Sequence, residues 1–385
     1  MKAVRFFVGP AIFTVFFCLI DSPGSAQTMS FLKIVTSPRS AGMGQCAINL
    51  VDEESATYHP GALGLFHLSK RAGFFLPVKS NYIPDLADGI SPRQFGVSIG
   101  EAFDINAASP DNRDVFGAAL AYSKLKMVLP AQFRSDEIGQ IIGMQQHFQK
   151  SHNISFAMGF NYRIRLGLGV TYKATEEGDI IITNRRDIYS AKGPAYDYGF
   201  IVELPLRHML TKNKNGTGQN LSIDLVPSIA YVNANNGGNL KVDGETSYYD
   251  LPHISRVGLS ILGTADKNTE QLASLRISYE KETDLVTVYN DLSKVGMETG
   301  FREFLFLRVG KVDPKSSYSF TTVGAGLDLG VLLNQLYFRN HVSPDSSWYN
   351  RVIRDMSLRI DYSHYNESGE SPYSNSEFIN IGLSF

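Results

Sequence analysis

The sequence predicts an all-β fold: a transmembrane antiparallel β-barrel of about fourteen strands. Three observations predict it. Segments of about ten residues, the length that crosses a bilayer when tilted, alternate apolar and polar side chains. The chain ends on one such segment and stops at an aromatic residue, Phe385. Its beginning carries the basic, apolar and small-residue pattern of an exported protein.

The export signal comes first. Lys2 and Arg5 make a basic start, an apolar run covers 6–20, and Asp21-Ser22-Pro23 breaks any helix. Gly24-Ser25-Ala26 supplies small residues, so cleavage is expected near Ala26 and 1–26 is expected to be removed. The apolar run is short for a membrane span. Val15-Phe16-Phe17 stand before Cys18, where a lipid-attachment site wants small side chains. Beyond Ala26 no apolar run is long enough for a transmembrane helix. The mature chain is therefore either dissolved after export or crosses a membrane as strands. Strands place it in the cell outer membrane of a Gram-negative-type bacterium.

Residues 27–69 do not alternate. They contain Ser30-Phe31-Leu32-Lys33-Ile34, then Ser37-Pro38-Arg39-Ser40-Ala41-Gly42-Met43-Gly44, then Asp52-Glu53-Glu54, and then His59-Pro60-Gly61-Ala62-Leu63-Gly64. Gly42 and Gly44 permit backbone angles closed to other residues, so a tight turn is expected there. Pro60-Gly61 is expected to mark a turn before the first strand. The trio 52–54 reads as a solvated acidic turn rather than a calcium site. This stretch resembles the N-terminal region of FadL/PorV-type outer-membrane barrels, with its Phe-Leu start, Arg-Ala-x-Gly-Met-Gly turn, acidic patch and Asn-Pro-Ala-Gly-Leu. The PorV/PorQ branch, tied to type IX secretion, is the nearest resemblance. The matching positions are Arg39, Gly42, Gly44, His59, Pro60 and Gly61. Ser40 departs from the usual Ala, His59 from the usual Asn, and Gly61-Ala62 reverses the small pair. The resemblance implies a fourteen-stranded barrel whose N-terminal segment plugs or lines the lumen. It implies either a secretion-system partner handling exported cargo proteins or, as the alternative, passive uptake of hydrophobic solutes.

Residues 70–385 read as the barrel. In 163–173, Ile164, Leu166, Leu168, Val170 and Tyr172 form an outward set, while Arg163, Arg165, Gly167, Gly169, Thr171 and Lys173 face inward. Segments 153–162, 322–330 and 358–364 alternate similarly. Strands are expected to start near Lys70, Arg93, Val115, Ser151, Arg163, Tyr196, Leu221, Pro252, Ala273, Gly300, Tyr318, Leu333, Val352 and Glu377. An even count leaves both barrel ends on the periplasmic side, with long outer loops and short inner turns. Residues 125–150, 176–193 and 233–251 are the expected outer loops, and 161–163 an inner turn. An outer loop near 330–333 would be almost absent, which puts the strand count there in question.

The last strand sets Ile379, Ile381, Leu383 and Phe385 against Asn380, Gly382 and Ser384. A terminal strand of this kind resembles the signal read by barrel-assembly machinery. The expected partners are thus outer-membrane lipid, that machinery, and either secretion components with cargo or a hydrophobic small molecule.

Composition narrows the chemistry. Lys and Arg number 36 against 38 Asp and Glu, which gives no reason to expect nucleic acid. With Cys18 removed, Cys46 has no intrachain disulfide partner and cannot build a Cys zinc site. No catalytic, cofactor-binding or metal residues are expected, and no enzyme. Gly96-Val97-Ser98-Ile99-Gly100 matches a hydrolase elbow, but that elbow needs a strand running into a helix, and here the five residues alternate as one strand. Gly167-Leu168-Gly169 and Gly324-Ala325-Gly326 lack the Lys-Ser/Thr of a phosphate loop and are expected to make room inside the barrel.

Overall fold

The computed structural model describes residues 30–385, except 83–89, 106–114, 130, 136–140, 183–185, 207–220, 238, 243–247, 268–269, 287–290, 316–318, 339–355 and 367–374. The expected export signal lies outside the described residues.

Among the described residues, seventeen strands form one sheet. They are β1 (Ala72–Asn81), β2 (Arg93–Asp104), β3 (Val115–Val128), β4 (Gln132–Ser135), β5 (Ile141–Asn161) and β6 (Arg165–Ile182). Then come β7 (Arg186–Glu203), β8 (Leu221–Asn236), β9 (Asn239–Val242), β10 (Tyr248–Asp250), β11 (Ile254–Lys267) and β12 (Glu270–Asp284). The last are β13 (Leu292–Phe301), β14 (Leu305–Pro314), β15 (Phe320–Asp328), β16 (Ser357–Asn366) and β17 (Glu377–Ser384). Short strands β4, β9 and β10 extend the sheet at one end. The other fourteen pair antiparallel in sequence order, and β17 returns to pair with β1, closing the cylinder. Closure leaves no free edge, which a sheet in hydrocarbon requires. Both barrel termini lie at one end, where the Phe385 carbonyl accepts from the Arg71 and Ala72 amides. This is the end the sequence assigns to the periplasm; the opposite end is called outer below.

Alternation sorts the side chains. On β2, Gln94 and Ser98 are buried while Phe95, Val97 and Ile99 are exposed; on β13, Lys294 and Glu298 are buried while Val295 and Met297 are exposed. The exposed set continues round the wall with Leu120, Ile154, Val170, Ile229, Leu259, Ile277, Leu307 and Val323. Such a belt is stable only against hydrocarbon.

Two expected strands are corrected. The single strand expected near Gly300 is a hairpin, β13 and β14, which turn through Arg302 (φ 48°) and Glu303 (φ 60°). Left-handed turn positions normally call for Gly, Asn or Asp, so this turn leaves no mark in the sequence. The strand expected near Leu333 is instead helix α4 (Leu329–Leu333), followed by a π-turn over Asn334–Phe338. The Asp328 carboxylate caps it, accepting from the Val331 amide at 3.0 Å. The two errors cancel, which is why the count stays at fourteen. The connection near 330 therefore lies at the inner end. Two of the expected outer loops, 125–150 and 176–193, are largely paired strand. β5 and β6 stay in register from Asn161/Arg165 out to Met144/Ile182. Their 21 and 18 residues exceed what a bilayer needs, so the hairpin projects outward. Most of 233–251 is likewise carried by the end of β8 and by β9 and β10.

Candidate functional site: a plugged lumen

Residues 30–71 run inside the cylinder from outer end to inner end. A 3-10 turn, Ser30–Lys33, starts at the outer end, where Lys33 pairs with Asp284 at 2.5 Å. Helices α1 (Pro38–Gly42), α2 (Ser55–Tyr58) and α3 (Pro60–Phe66) follow, and the chain leaves at Arg71 beside Phe385. The short helices pack on inward faces: α1 on β14 to β17, α2 on β3, and α3 on β3 and β5 to β7.

On one side the plug is held by charge. Arg39 forks onto Glu298 (2.7 and 2.9 Å) and reaches Asp52 (3.2 Å). Arg308 joins Glu298 (2.7 Å) to Asp361 (2.6 Å), and Arg359 joins Asp361 (2.6 Å) to Glu53 (3.0 Å). A second group links Lys294 and Arg256 to Glu280 and Glu282, and Glu280 also accepts from the Ala47 and Ile48 amides. The acidic trio expected to be a solvated turn is thus buried and paired, because its partners come from distant strands. Glu54 accepts from Asn380 at 2.7 Å. Burial, with Asp52 adding to it, pushes the Glu54 carboxyl up to about 8.

On the other side the plug is held by close backbone approach. A Cβ at Gly61 would meet the Gly167 and Gly199 carbonyls at 2.9 Å, and one at Gly159 or Gly167 would strike the plug backbone at Gly64 or Gly61. Only glycine admits that spacing. His59 caps α3, accepting from the Ala62 amide on Nδ1 (3.0 Å) and donating from Nε2 to the Phe200 carbonyl (3.1 Å). Burial lowers its pKa to about 4, so the ring is neutral.

The residues singled out by sequence fall as follows. Arg39 sits in the ionic group, Gly42 lies against Gly324, and Gly44 (φ 65°) donates its amide to Thr322 at 2.8 Å. His59, Pro60 and Gly61 open α3, so the turn expected at Pro60-Gly61 is a helix start, with Pro60 in its first turn. His59 takes the N-cap position of α3 because its imidazole nitrogen accepts an amide of the first turn, as a side-chain oxygen does in an ordinary cap. Ile379, Ile381 and Leu383 share the outward face of β17, and Phe385 lies exposed just beyond it. Ser98 is buried within continuous β2, with no turn into a helix, and its Oγ has no hydrogen-bond partner among the described residues.

Sequence reasoning missed two apolar clusters in the outer half of the lumen. Leu125, Met127, Ala191, Ala195, Leu240 and Leu251 cluster there with Leu32, Ile34 and Ile90. Phe320, Tyr365 and Phe378 cluster with Val312 and Tyr82. Between these clusters lies an irregular seam. β1 pairs with β2 only over 72–75 against 96–99, although both strands continue outward. Pro77 has no amide to donate, and the β1–β17 register shifts between Pro77 and Lys79. A Tyr82–Ile90 bridge closes the seam at its outer limit. Leu76, Val78 and Phe95 are exposed along its rim.

No family model and no curated protein matches the chain. Solved structures do. The Pseudomonas putida toluene transporter TodX is 11% identical at a TM-score of 0.42, covering 90% of this chain and 96% of that one. A Pseudomonas aeruginosa FadL homologue is 12% identical at 0.36, covering 91% and 97%. The transport unit of the Escherichia coli autotransporter AIDA-I is 10% identical at 0.41, covering 82% and 89%. The likeness is one of barrel architecture, and what this lumen can do rests on its own residues.

Proposed function

We propose that this chain is an outer-membrane barrel that passes small hydrophobic molecules sideways, between the apolar clusters flanking the β1–β2 seam inside the lumen and the membrane, through that seam. The carrying observation is that seam. It is a stretch of wall without strand pairing, bounded by the Phe75–Gly96 pair and the Tyr82–Ile90 bridge, with apolar side chains on its rim. The plug blocks a straight aqueous route, since its charged groups are paired across the lumen. An apolar molecule entering beside the seam meets the aliphatic and aromatic clusters, and among the described residues the β1–β2 junction has the fewest paired positions of the fourteen-strand wall. Continuing the register from Phe75/Gly96 brings Leu76 opposite Phe95. A disulfide between Leu76→Cys and Phe95→Cys is expected to abolish uptake of N-phenylnaphthylamine, and reductant to restore it. Unchanged uptake in the oxidised form defeats the reading.

A second reading, handling of exported cargo within a secretion system, draws on the outward projection of β5, β6 and β7 with β4, β9 and β10, which presents a protein-sized platform. Affinity purification of the tagged barrel from detergent would then recover secretion components or cargo; recovery of the barrel alone counts against it. In both readings Ile379, Ile381, Leu383 and Phe385 are the strand offered to the assembly machinery.

A further inference from the structure

At the outer edge of the apolar belt the wall from β11 to β14 carries mixed side chains. Lys281 lies opposite Val257 and Ser293, and Ser293 lies opposite Asp313. Strands β2, β3 and β5 differ. Register places Arg93 opposite Lys126 and Lys126 opposite Lys150. One step nearer the middle, Lys124 lies opposite His152. All five point outward, because the alternate residues Gln94, Ser123, Leu125, Gln149 and Ser151 are buried inside.

Like charges directly opposite one another destabilise a strand pair. Lys150 finds relief in Glu176 at 2.8 Å, and His152 meets the Tyr122 hydroxyl at 2.7 Å. Arg93, Lys124 and Lys126 form no ion pair among the described residues. Directly below, on the same strands, Phe95, Val97, Leu120, Ile154 and Phe156 are exposed. A row of unrelieved cations thus borders the apolar belt at the height where hydrocarbon gives way to headgroups. A lipid with phosphate groups complements both parts at once: the phosphates neutralise the row and the chains cover the belt.

We propose that Arg93, Lys124 and Lys126, flanked by Lys150, form a docking site for a phosphorylated lipid headgroup on the outside of the barrel. This rests on the barrel being embedded in a membrane and is independent of solute passage. The test is native mass spectrometry of the full-length barrel in detergent, titrated with diphosphorylated lipid A or with phosphatidylcholine. Wild type is expected to retain lipid A at least tenfold more tightly than the Arg93→Gln/Lys124→Gln/Lys126→Gln variant and than it retains phosphatidylcholine. A control at two lysines away from this row, Lys281→Gln with Lys311→Gln (Lys311 lies on β14 opposite Val295 and Thr321), is expected to bind as wild type. If the triple variant does not fold, Lys126→Gln alone is expected to weaken retention about threefold. Equal retention by wild type and the folded variant, or equal retention of the two lipids, overturns the proposal. N-phenylnaphthylamine uptake by a Lys124→Gln/Lys126→Gln variant, which changes β3 alone and leaves Arg93 at the seam in place, is expected to be unchanged, so loss of this site and failure of the seam give separate results.

Discussion

The plug is anchored on two sides by different physics. Toward β13 to β17 it is tied by a buried chain of alternating charges, Arg39, Glu298, Arg308, Asp361, Arg359 and Glu53. Toward β5 to β7 it is seated by backbone on glycine and one imidazole cap. The first anchor is strongest while complete, because removing one member leaves its neighbours with an unbalanced buried charge. The second tolerates loss of any one hydrogen bond but no added atom.

The largest effect should come from breaking the chain of charges at its centre. Arg308→Ala leaves Glu298 and Asp361 without their shared partner and is expected to destabilise the folded barrel by about 3–5 kcal/mol. Thermal unfolding in detergent checks this; a loss under about 1 kcal/mol would mean water already satisfies those carboxylates. Next in size is overpacking on the other side. Gly167→Val drives a side chain into the Gly61 carbonyl, at an expected cost of about 1–3 kcal/mol. Because the wall pairing of β6 is untouched, the barrel should stay closed while the plug is displaced. Planar-bilayer recording should then show steady conductance in Gly167→Val and quiet traces in wild type. Quiet traces in both would place the seal elsewhere.

His59→Ala should act more mildly. Removing a helix cap costs about 0.5–2 kcal/mol, and His59→Asn should restore most of it, since Asn Oδ1 caps as Nδ1 does. Rescue by Asn but not by Gln or Leu would mark capping as the function of the residue.

The contrast also explains what the sequence could and could not reveal. The barrel was legible because lipid on one face and a plug on the other force every second residue to change character, as in Gly167, Leu168, Gly169 and Val170. The closing strand was legible for the same reason. The turn at Arg302 and Glu303 was not, since its left-handed geometry is imposed by the flanking β13–β14 ladder rather than by residue type. The glycine-rich segments could be assigned to lumenal room because no phosphate loop completes them, but not matched to Gly61 and Gly64. The acidic trio looked solvated because Arg359, which neutralises Glu53, lies on β16. The seam was invisible, since it is a property of which residues fail to pair, and Pro77 alone does not announce it.

The smallest expected effect separates the two anchors by pH. His59 is held neutral, with its pKa lowered from an ordinary 6.5 to about 4. A depressed base contributes stability above its unfolded value and loses it as pH falls, so the glycine side loosens between about 6.5 and 4. Glu54 is raised from 4.5 to about 8. A raised acid contributes stability below its unfolded value and loses it as pH climbs, so the charged side loosens between about 4.5 and 8. Brief plug openings, seen as conductance bursts, should therefore grow in frequency toward both extremes. Glu54→Gln should remove the alkaline rise and keep the acid one, while His59→Asn should remove the acid rise and keep the alkaline one. If one substitution flattened both limbs, the two anchors would be a single cooperative unit, and the division between charge and close packing would describe the residues without describing how the plug lets go.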